Sequence, residues 1–401
     1  MQSEPLHRVA PSGVTRRYLA LDSLRGVCAC IVVLYHLPTT GLITNSAFVE
    51  GGWMFVDFFF VLSGFVISAG YATRLANGFP VSTFMALRLG RVYPLHIAML
   101  LLYLAMEGAA YLVGDTGGLA RREAFGVGRD LGSWFTNAAL MQIFGLQDTL
   151  TWNIPSWSIA AEMWTYLLMS LLLHHFGAGR RMLVVVAVAV GVSLATLAAL
   201  DEPYLDRTYS WALLRCVYGF GLGMLGYRLH DITGRARALD DRVATGLELA
   251  IVATCVVFVS YAGGSIVTLA CPPLFAVTVL VFAREEGRIS AALRTRFPVL
   301  LGSLSYSIYM IHHFVEGRIL DSLKVIGSLS GHPLVTWIGR NGWQITLPTL
   351  IADLAAIATL AAVVACSFIT YRLIEEPCRR WSRRVAMRHS AGSAETVTPS
   401  L

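Results

Sequence analysis

Residues 52–71 read GWMFVDFFFVLSGFVISAGY, a stretch of 20 residues in which Asp57 is the sole charged side chain. A helix of about 20 apolar residues is long enough to cross the hydrocarbon core of a bilayer. Similar stretches recur along the chain, whose 401 residues are 56% hydrophobic and 14% charged. Ordinary soluble domains carry about 25% charged residues. The sequence therefore predicts a protein embedded in a membrane.

Hydropathy predicts an all-α, polytopic membrane bundle of about ten transmembrane helices. The predicted spans cover residues 20–37, 52–71, 92–114, 155–176, 181–200, 210–229, 244–262, 265–283, 297–316 and 347–373. Residues 133–147 are apolar but too short to span, which indicates an interfacial or re-entrant segment. The glycines at 219, 221 and 223 predict close packing of the sixth helix against a neighbour.

The distribution of lysine and arginine predicts the orientation of the bundle. In alternate connections, 22 of these residues lie on the side that holds both termini and 7 lie on the other side. Cytoplasmic loops are enriched in Lys and Arg, so both termini are predicted to be cytoplasmic, as in a bacterial inner-membrane protein. The basic residues form no patch interleaved with aromatics, so the net charge of +6 does not indicate a nucleic-acid partner.

Three regions follow from this pattern. Residues 1–17 are predicted to be a cytoplasmic segment, residues 18–380 the membrane domain, and residues 381–401 a disordered cytoplasmic tail. Two longer connections on the outer side, 115–154 and 317–346, are large enough to form a lid.

Ionisable residues within the spans are the candidates for function, because a charge inside a bilayer is costly and normally faces a protein interior. Four helices bring His36, Asp57, Glu162 and His312 to a similar depth near the outer side. Each also has a simpler interpretation. The carboxylates are compatible with structural salt bridges, and the histidines are compatible with interfacial or packing roles.

The ninth span carries a single polar stripe. Ser305, Tyr309, His312 and Glu316 recur at i, i+4, i+7 and i+11, which places them on one face of a helix. Because the rest of this helix is apolar, we expect the stripe to face the interior of the bundle.

Arginines mark the cytoplasmic side. Arg88 and Arg91 lie three positions apart and share a helix face, just before Pro94, which is predicted to begin the third helix. The forked guanidinium group matches two oxygens of a phosphate. A simple positive-inside role explains this pair equally well, and Arg25, inside the first span, is alternatively a structural partner of Asp22.

Six short motifs together resemble the acyltransferase 3 family of membrane acyltransferases, over residues 18–380. They are LDSLRG at 21–26 followed by VLYH at 33–36, VDFFFVLSGF at 56–65, Arg88-x-x-Arg91-x-x-Pro94, Trp157-Ser158-Ile159-x-x-Glu162, Gly302-x-x-Ser305-Tyr306-x-x-Tyr309-x-x-His312, and IEEP at 374–377. Each motif alone is weak, but their order along the chain is specific. Ser23 departs from the pattern, since the family usually has glycine there.

The resemblance implies an enzyme that transfers an acyl group, commonly acetyl, from acyl-coenzyme A to a hydroxyl of a carbohydrate or glycan at the inner membrane, with no metal. A transporter is the main alternative, because buried charges also line transport pathways. Transporters often contain paired half-repeats, and this sequence has no such pairing. A non-catalytic scaffold is a third possibility, and it would tolerate substitution of His36.

The expected mechanism uses a wet channel through the bundle. Arg88 and Arg91 would bind the phosphates of coenzyme A, with Arg25 deeper in the channel. His36 would act as general base, and Asp57 or Glu162 would orient its ring. Tyr309, Trp157 or a backbone amide would stabilise the oxyanion. Direct attack and an acyl-histidine intermediate are both compatible with the sequence.

Overall fold

Helices form almost all of the regular structure in the computed structural model, which describes residues 17–113, 124–201, 204–233, 238–338 and 342–395. The predicted cytoplasmic segment 1–17 lies outside the described residues except for Arg17, as do residues 115–123 of the first predicted lid.

The described chain contains fifteen α-helices: α1 Leu19–His36, α2 Ala47–Glu50, α3 Phe55–Ile67, α4 Thr73–Ala76, α5 Val81–Val113, α6 Leu131–Ala138, α7 Ser156–Phe176, α8 Arg180–Ala199, α9 Ala212–Thr233, α10 Asp241–Tyr261, α11 Cys271–Ala283, α12 Arg288–Leu293, α13 Arg296–Ser330, α14 Thr349–Thr370 and α15 Glu376–Glu395. Short 3₁₀ or π segments make several of them continuous. Such segments at Gly51–Met54 and Ser68–Ala72 join α2, α3 and α4, Ile266–Ala270 leads into α11, and Tyr371–Glu375 joins α14 to α15.

The predicted membrane bundle is confirmed. Among the described residues, seven helical stretches are long and apolar enough to cross a membrane. Three further helices, α7, α9 and α13, have 21, 22 and 35 residues but carry more polar side chains. Within the described part of the chain, the number of long helical stretches is therefore the predicted ten.

Two predicted helix boundaries are corrected. Helix α5 begins at Val81, so Pro94 lies inside the helix rather than at its start. Neighbouring helices in a membrane bundle can satisfy the backbone groups that a proline frees, and the Tyr306 hydroxyl donates to the Val92 carbonyl beside this point. Helix α13 continues through Ser330 and ends at Gly331, whose φ of +72° is the left-handed conformation that glycine adopts easily.

The second predicted lid, 317–346, is thus a helical extension followed by a small hairpin. Strands β1 (Val335–Trp337) and β2 (Trp343–Ile345) pair antiparallel. The hairpin attaches to the chain that follows α1, because the Ile345 amide donates to the Pro38 carbonyl at 2.9 Å and the Thr40 amide donates to the Ile345 carbonyl at 3.1 Å. The hairpin therefore covers the end of the bundle at which α1 terminates.

Helix α15 occupies residues that were predicted to be a disordered tail. It continues through Glu395, and residues 396–401 lie outside the description. Ser382 is buried against Gly90 of α5, where a larger residue would collide with it. Packing against α5 thus explains the order of the first part of this segment, which hydropathy alone does not predict.

Close helix contacts at glycines determine which helices are neighbours. A Cβ atom at Gly64 or Gly223 would overlap the backbone of the facing helix, so α3 and α9 pack in direct backbone contact. The close packing predicted for the glycine-rich part of α9 is therefore confirmed. A Cβ atom at Gly26 or Gly302 would likewise overlap the facing backbone, so α1 and α13 are also in direct backbone contact. These two contacts bring the charged residues of α1, α3, α9 and α13 together inside the bundle.

Candidate active site

A cavity with about 860 Å³ of empty space, part of it open to solvent, lies between α1, α3, α5, α7 and α13. Six of the predicted functional residues line it: Arg25, Arg88, Arg91, Glu162, Ser305 and Tyr309. The polar stripe of α13 faces the interior as predicted, since all four of its members are buried. The cavity therefore collects residues that are separated by up to 284 positions in the chain.

Arginines occupy one end of this cavity. The Arg25 Nε donates to the Ser305 hydroxyl at 2.7 Å, and its Nη2 donates to the Gly302 carbonyl at 2.9 Å. Arg25 also lies 3.5 Å from a carboxylate oxygen of Asp22. Arg25 therefore pairs with Asp22, the structural partner considered above, and also lines the cavity.

The two arginines of α5 are held differently from Arg25. Arg88 donates to the Tyr71 hydroxyl at 3.0 Å and lies over the Tyr71 ring. Its Nε is buried without a hydrogen-bond partner. Arg91 lines the cavity and makes no hydrogen bond or ion pair with any described residue. Their guanidinium groups therefore have donor capacity left for an anionic ligand.

Glu162 lies in the arginine-lined cavity. Its Oε1 accepts a hydrogen bond from the Tyr166 hydroxyl at 2.5 Å, and that hydroxyl lies 2.6 Å from the Ser63 hydroxyl. These three side chains form a polar line across the cavity wall between α3 and α7. The structure thus separates Glu162 from His36, to which it makes no contact.

Tyr309 belongs to the wall of the cavity. The Ser158 hydroxyl donates to the Tyr309 hydroxyl at 2.8 Å, and the Phe59 ring packs edge-on against Tyr309 with centroids 5.7 Å apart. His36 and His312 are absent from the residues that line the cavity, but the His312 ring lies beside that of Tyr309. Tyr309 is therefore the side chain at which the arginine-lined cavity and the histidines meet.

His36 and His312 form a pair directly beyond Tyr309. The His36 Nδ1 lies 3.3 Å from the His312 Nε2, and the His312 ring lies 5.8 Å from the Tyr309 ring. The predicted proximity of His36 to His312 is thus present, although no carboxylate of the described residues forms a hydrogen bond with either ring.

Hydrogen bonds to backbone carbonyls assign the ring tautomers. His312 Nδ1 lies 2.7 Å from the Tyr309 carbonyl, and His36 Nδ1 lies 2.9 Å from the Val32 carbonyl. Because a carbonyl only accepts, each Nδ1 of the neutral rings carries the hydrogen. The single hydrogen on His36 Nδ1 is then shared between the Val32 carbonyl and the lone pair of His312 Nε2, and the His36 Nε2 is left with an unshared lone pair.

Asp57 is placed in a buried ion pair, away from His36. The Arg215 Nη2 and Nε donate to its two carboxylate oxygens at 2.7 and 3.0 Å, and both side chains are at most 1% exposed. The Arg215 guanidinium also lies over the rings of Trp53 and Trp157, 5.3 and 5.2 Å from their centroids. The predicted pairing of Asp57 with His36 is therefore corrected, because Arg215 uses both carboxylate oxygens.

Trp157 belongs to this ion-pair assembly, since its ring contacts the Arg215 guanidinium on one side and Phe60 nearby. These contacts are structural, and Trp157 is absent from the residues that line the cavity. Arg215 lies inside the predicted span 210–229, and the sequence alone does not assign its partner.

Three other residues near the site were not included among the candidates. The first two are Ser158 and Tyr166, whose hydroxyls contact Tyr309 and Glu162. The third is His313, whose ring centroid lies 6.3 Å from that of His36. For Ser158 and Tyr166, the available signal in the sequence is a hydroxyl side chain within an apolar span. Among the described residues, no group of three or more His, Cys, Asp or Glu side chains is arranged to hold a metal ion.

A family of acyltransferase domains matches residues 18–372, most of the chain. The chain therefore belongs to the acyltransferase 3 family, which confirms the resemblance found in the motifs. This membership also confirms the predicted enzyme class, an O-acyltransferase, in a multi-pass membrane protein.

Two relatives extend this comparison over most of the chain. The protein is 24% identical over 387 residues to Acyltransferase MdmB of Streptomyces mycarofaciens, covering 92% of this chain and 89% of that protein. It is 24% identical over 292 residues to the putative membrane-bound transacylase BcsY of Komagataeibacter xylinus, covering 73% of this chain and 71% of that protein.

A third relative matches a smaller part. Protein 2 in the picA locus of Rhizobium radiobacter is 34% identical over 100 residues, covering 24% of this chain and half of that protein. No solved structure matches the chain.

Proposed function

We propose that the protein transfers an acyl group, most simply acetyl, from acyl-coenzyme A to a hydroxyl of a carbohydrate or glycan acceptor at the bacterial inner membrane. The observation that carries this proposal is the arrangement of the cavity. Guanidinium groups with unused donors lie at one end, and Tyr309 at the other end leads to the His36–His312 pair. An acyl donor bound by the arginines and the general base His36 would thus be separated by a single side chain, that of Tyr309.

The donor enters from the arginine end, which the positive-inside rule assigns to the cytoplasm. Arg88 and Arg91 bind the phosphates of coenzyme A through charge-assisted hydrogen bonds. The narrow pantetheine arm then lies along the polar line of Ser63, Tyr166 and Glu162, whose hydroxyl and carboxylate groups match its amides.

Tyr309 must move before the thioester reaches His36. The movement breaks the hydrogen bond between the Tyr309 and Ser158 hydroxyls. It also frees the Tyr309 hydroxyl, which can then donate to the oxygen of the thioester carbonyl as negative charge develops there. Tyr309 is therefore the favoured one of the three oxyanion donors considered from the sequence.

In the reaction, the His36 Nε2 takes the proton of the acceptor hydroxyl as its oxygen attacks the thioester carbonyl. The new carbon–oxygen bond forms, the carbon–sulfur bond breaks, and the proton passes from His36 to the departing sulfur. His312 holds the His36 ring through its Nε2, in the position that a carboxylate has in a serine-protease triad. The products are an ester and coenzyme A.

Proteoliposomes that contain the purified protein test this proposal. Acetyl-coenzyme A labelled in its acetyl group is supplied on one side, and the envelope glycans of a strain lacking the protein are supplied on the other. We expect label to appear in an ester of the glycan, detected by mass spectrometry. Uptake of an unmodified substrate into the vesicles, with no labelled ester, would favour the transporter.

Replacing Arg91 by glutamine should raise the KM for acetyl-coenzyme A by about tenfold or more, because a hydrogen bond to a charged group contributes about 1.5–3 kcal/mol. The value of kcat at saturating donor should change little. Arg91 is suited to this test because it has no intramolecular bond among the described residues to lose.

The matched control is Arg242→Gln, which removes the same charge from an exposed position at the start of α10. A second acyl donor tests the phosphate contact directly. Acetyl-pantetheine lacks the nucleotide phosphates, so the Arg91 variant and the wild type should use it equally. An Arg91→Gln variant whose KM for acetyl-coenzyme A equals that of the wild type would exclude the phosphate-binding role.

A further inference from the structure

A second pocket lies at the opposite end of α1, beside His36. It encloses about 610 Å³ and lies between the turn after α1 and the β1–β2 hairpin. Tyr35, Leu37, Pro38 and Thr39 line it, so the residues on both sides of His36 form part of its wall. We call it the hairpin pocket.

Two side-chain amides of the hairpin pocket are fixed by the backbone. The Asn45 Nδ2 donates to the carbonyls of Thr39 and Gly41 at 2.9 and 2.6 Å, and the Gln344 Nε2 donates to the Thr39 carbonyl at 2.9 Å. Because carbonyls only accept, these contacts assign the nitrogens and leave each amide oxygen facing away from the turn. Neither amide oxygen accepts a hydrogen bond from a described residue.

A carboxylate completes the polar lining. Glu50 is exposed, and its carboxylate makes no hydrogen bond or ion pair with any described residue. Asn45, Gln344 and Glu50 therefore offer acceptor oxygens without an intramolecular donor. Tyr35 and Ile338 add apolar surface to the same pocket. A lining of acceptors beside apolar side chains suits a ligand that donates several hydrogen bonds and has one apolar face.

We infer that the hairpin pocket holds the acyl acceptor, and that it selects an acceptor that donates hydrogen bonds and carries no negative charge. This inference rests on the proposed function, since it needs His36 to be the base. A hydroxyl of a ligand in this pocket lies next to the chain that carries His36. An anionic group, such as the carboxylate of a uronic acid, would meet the Glu50 carboxylate and the unpaired amide oxygens without any positive charge from the described lining residues.

Three methyl glycosides of matched shape test the inference in proteoliposomes with labelled acetyl-coenzyme A: methyl glucoside, methyl glucosaminide and methyl glucuronide. We expect the wild type to acetylate the first two and to use the glucuronide at least about tenfold less well in kcat/KM. Glu50→Gln should reduce the difference in kcat/KM between the glucuronide and the other two glycosides. Gln344→Ala should raise the KM for methyl glucoside by about tenfold and leave the KM for acetyl-coenzyme A unchanged.

The controls are Asp321→Asn and Thr346→Ala, which alter side chains at the same end of the bundle outside the hairpin pocket. Glu50 is exposed, so Glu50→Gln keeps the fold and stays informative if the Gln344 variant is unstable. Unchanged glycoside kinetics in Glu50→Gln would overturn the inference, as would equal use of the glucuronide by the wild type. A wild type that cannot use acetyl-coenzyme A with any acceptor would instead contradict the proposed function.

Discussion

Replacement of His36 by alanine is expected to lower kcat for acyl transfer by about 10²- to 10⁴-fold, the usual contribution of a general base. The expectation follows from the geometry of the ring. The Nδ1 of His36 faces the Val32 carbonyl and His312, so the Nε2 is the atom left to take a proton. The measurement is a single-turnover rate with labelled acetyl-coenzyme A in proteoliposomes.

The matched control is His313→Ala. His313 lies in the same group of rings, with its centroid 6.4 Å from that of His312, but no hydrogen bond joins it to His36. We expect this variant to keep most of its activity. If the loss in His36→Ala reflects a missing base, added imidazole should restore part of the rate. Full activity of His36→Ala would remove the proposed mechanism and would favour the scaffold interpretation.

His312 is a positioning residue in this scheme. Its substitution by alanine should reduce kcat less than His36→Ala does, because the Val32 carbonyl still fixes the His36 tautomer.

The sequence predicts the positions of the spans well because hydropathy is a property of each segment on its own. The predicted span 155–176, for example, corresponds to α7 at Ser156–Phe176. The prediction fails where a helix is stabilised by contacts that hydropathy does not include. The last part of α13 is polar, but Asp321 forms ion pairs with Arg318 and Lys324 at spacings of three residues, which support a helix.

The composition of the candidate site was partly predictable for a related reason. Arg25, Glu162 and Tyr309 are conspicuous because they are polar residues within apolar spans, and all three line the cavity. Their partners were not predictable, because the partner depends on which helices are adjacent. Asp57 and Arg215 lie 158 positions apart, and the glycines of α3 and α9 bring them together.

The site is shared between strongly apolar helices, such as α1 and α5, and three helices with more polar side chains. Glu162, Arg215 and His312 lie on α7, α9 and α13, the three long helices outside the group of seven with strongly hydrophobic composition. An apolarity threshold alone would thus have missed three of the helices that carry site residues. Their place in the bundle follows from the alternation of positive charge between connections.

Substitution of Asp57 by alanine should destabilise the protein by about 3–5 kcal/mol, because the buried Arg215 charge loses its bidentate partner and keeps only the more distant Asp206 carboxylate, 3.4 Å away. Both side chains are at most 1% exposed, so water cannot replace the lost carboxylate without opening the bundle. The seven cysteines are free, and four of them are buried. A thiol-reactive dye during heating in detergent therefore reports unfolding directly, and we expect a large fall in Tm or a failure to accumulate.

The double variant Asp57→Leu/Arg215→Met separates a structural from a catalytic role. Replacing a buried ion pair with apolar residues of similar size is often neutral, and a methionine thioether packs well between the rings of Trp53 and Trp157. We therefore expect the double variant to recover Tm and acyl transfer together, since Asp57 does not line the cavity. A stable but inactive double variant would mean that Asp57 takes part in the reaction, as the sequence first predicted, and that its pairing with Arg215 must open during turnover.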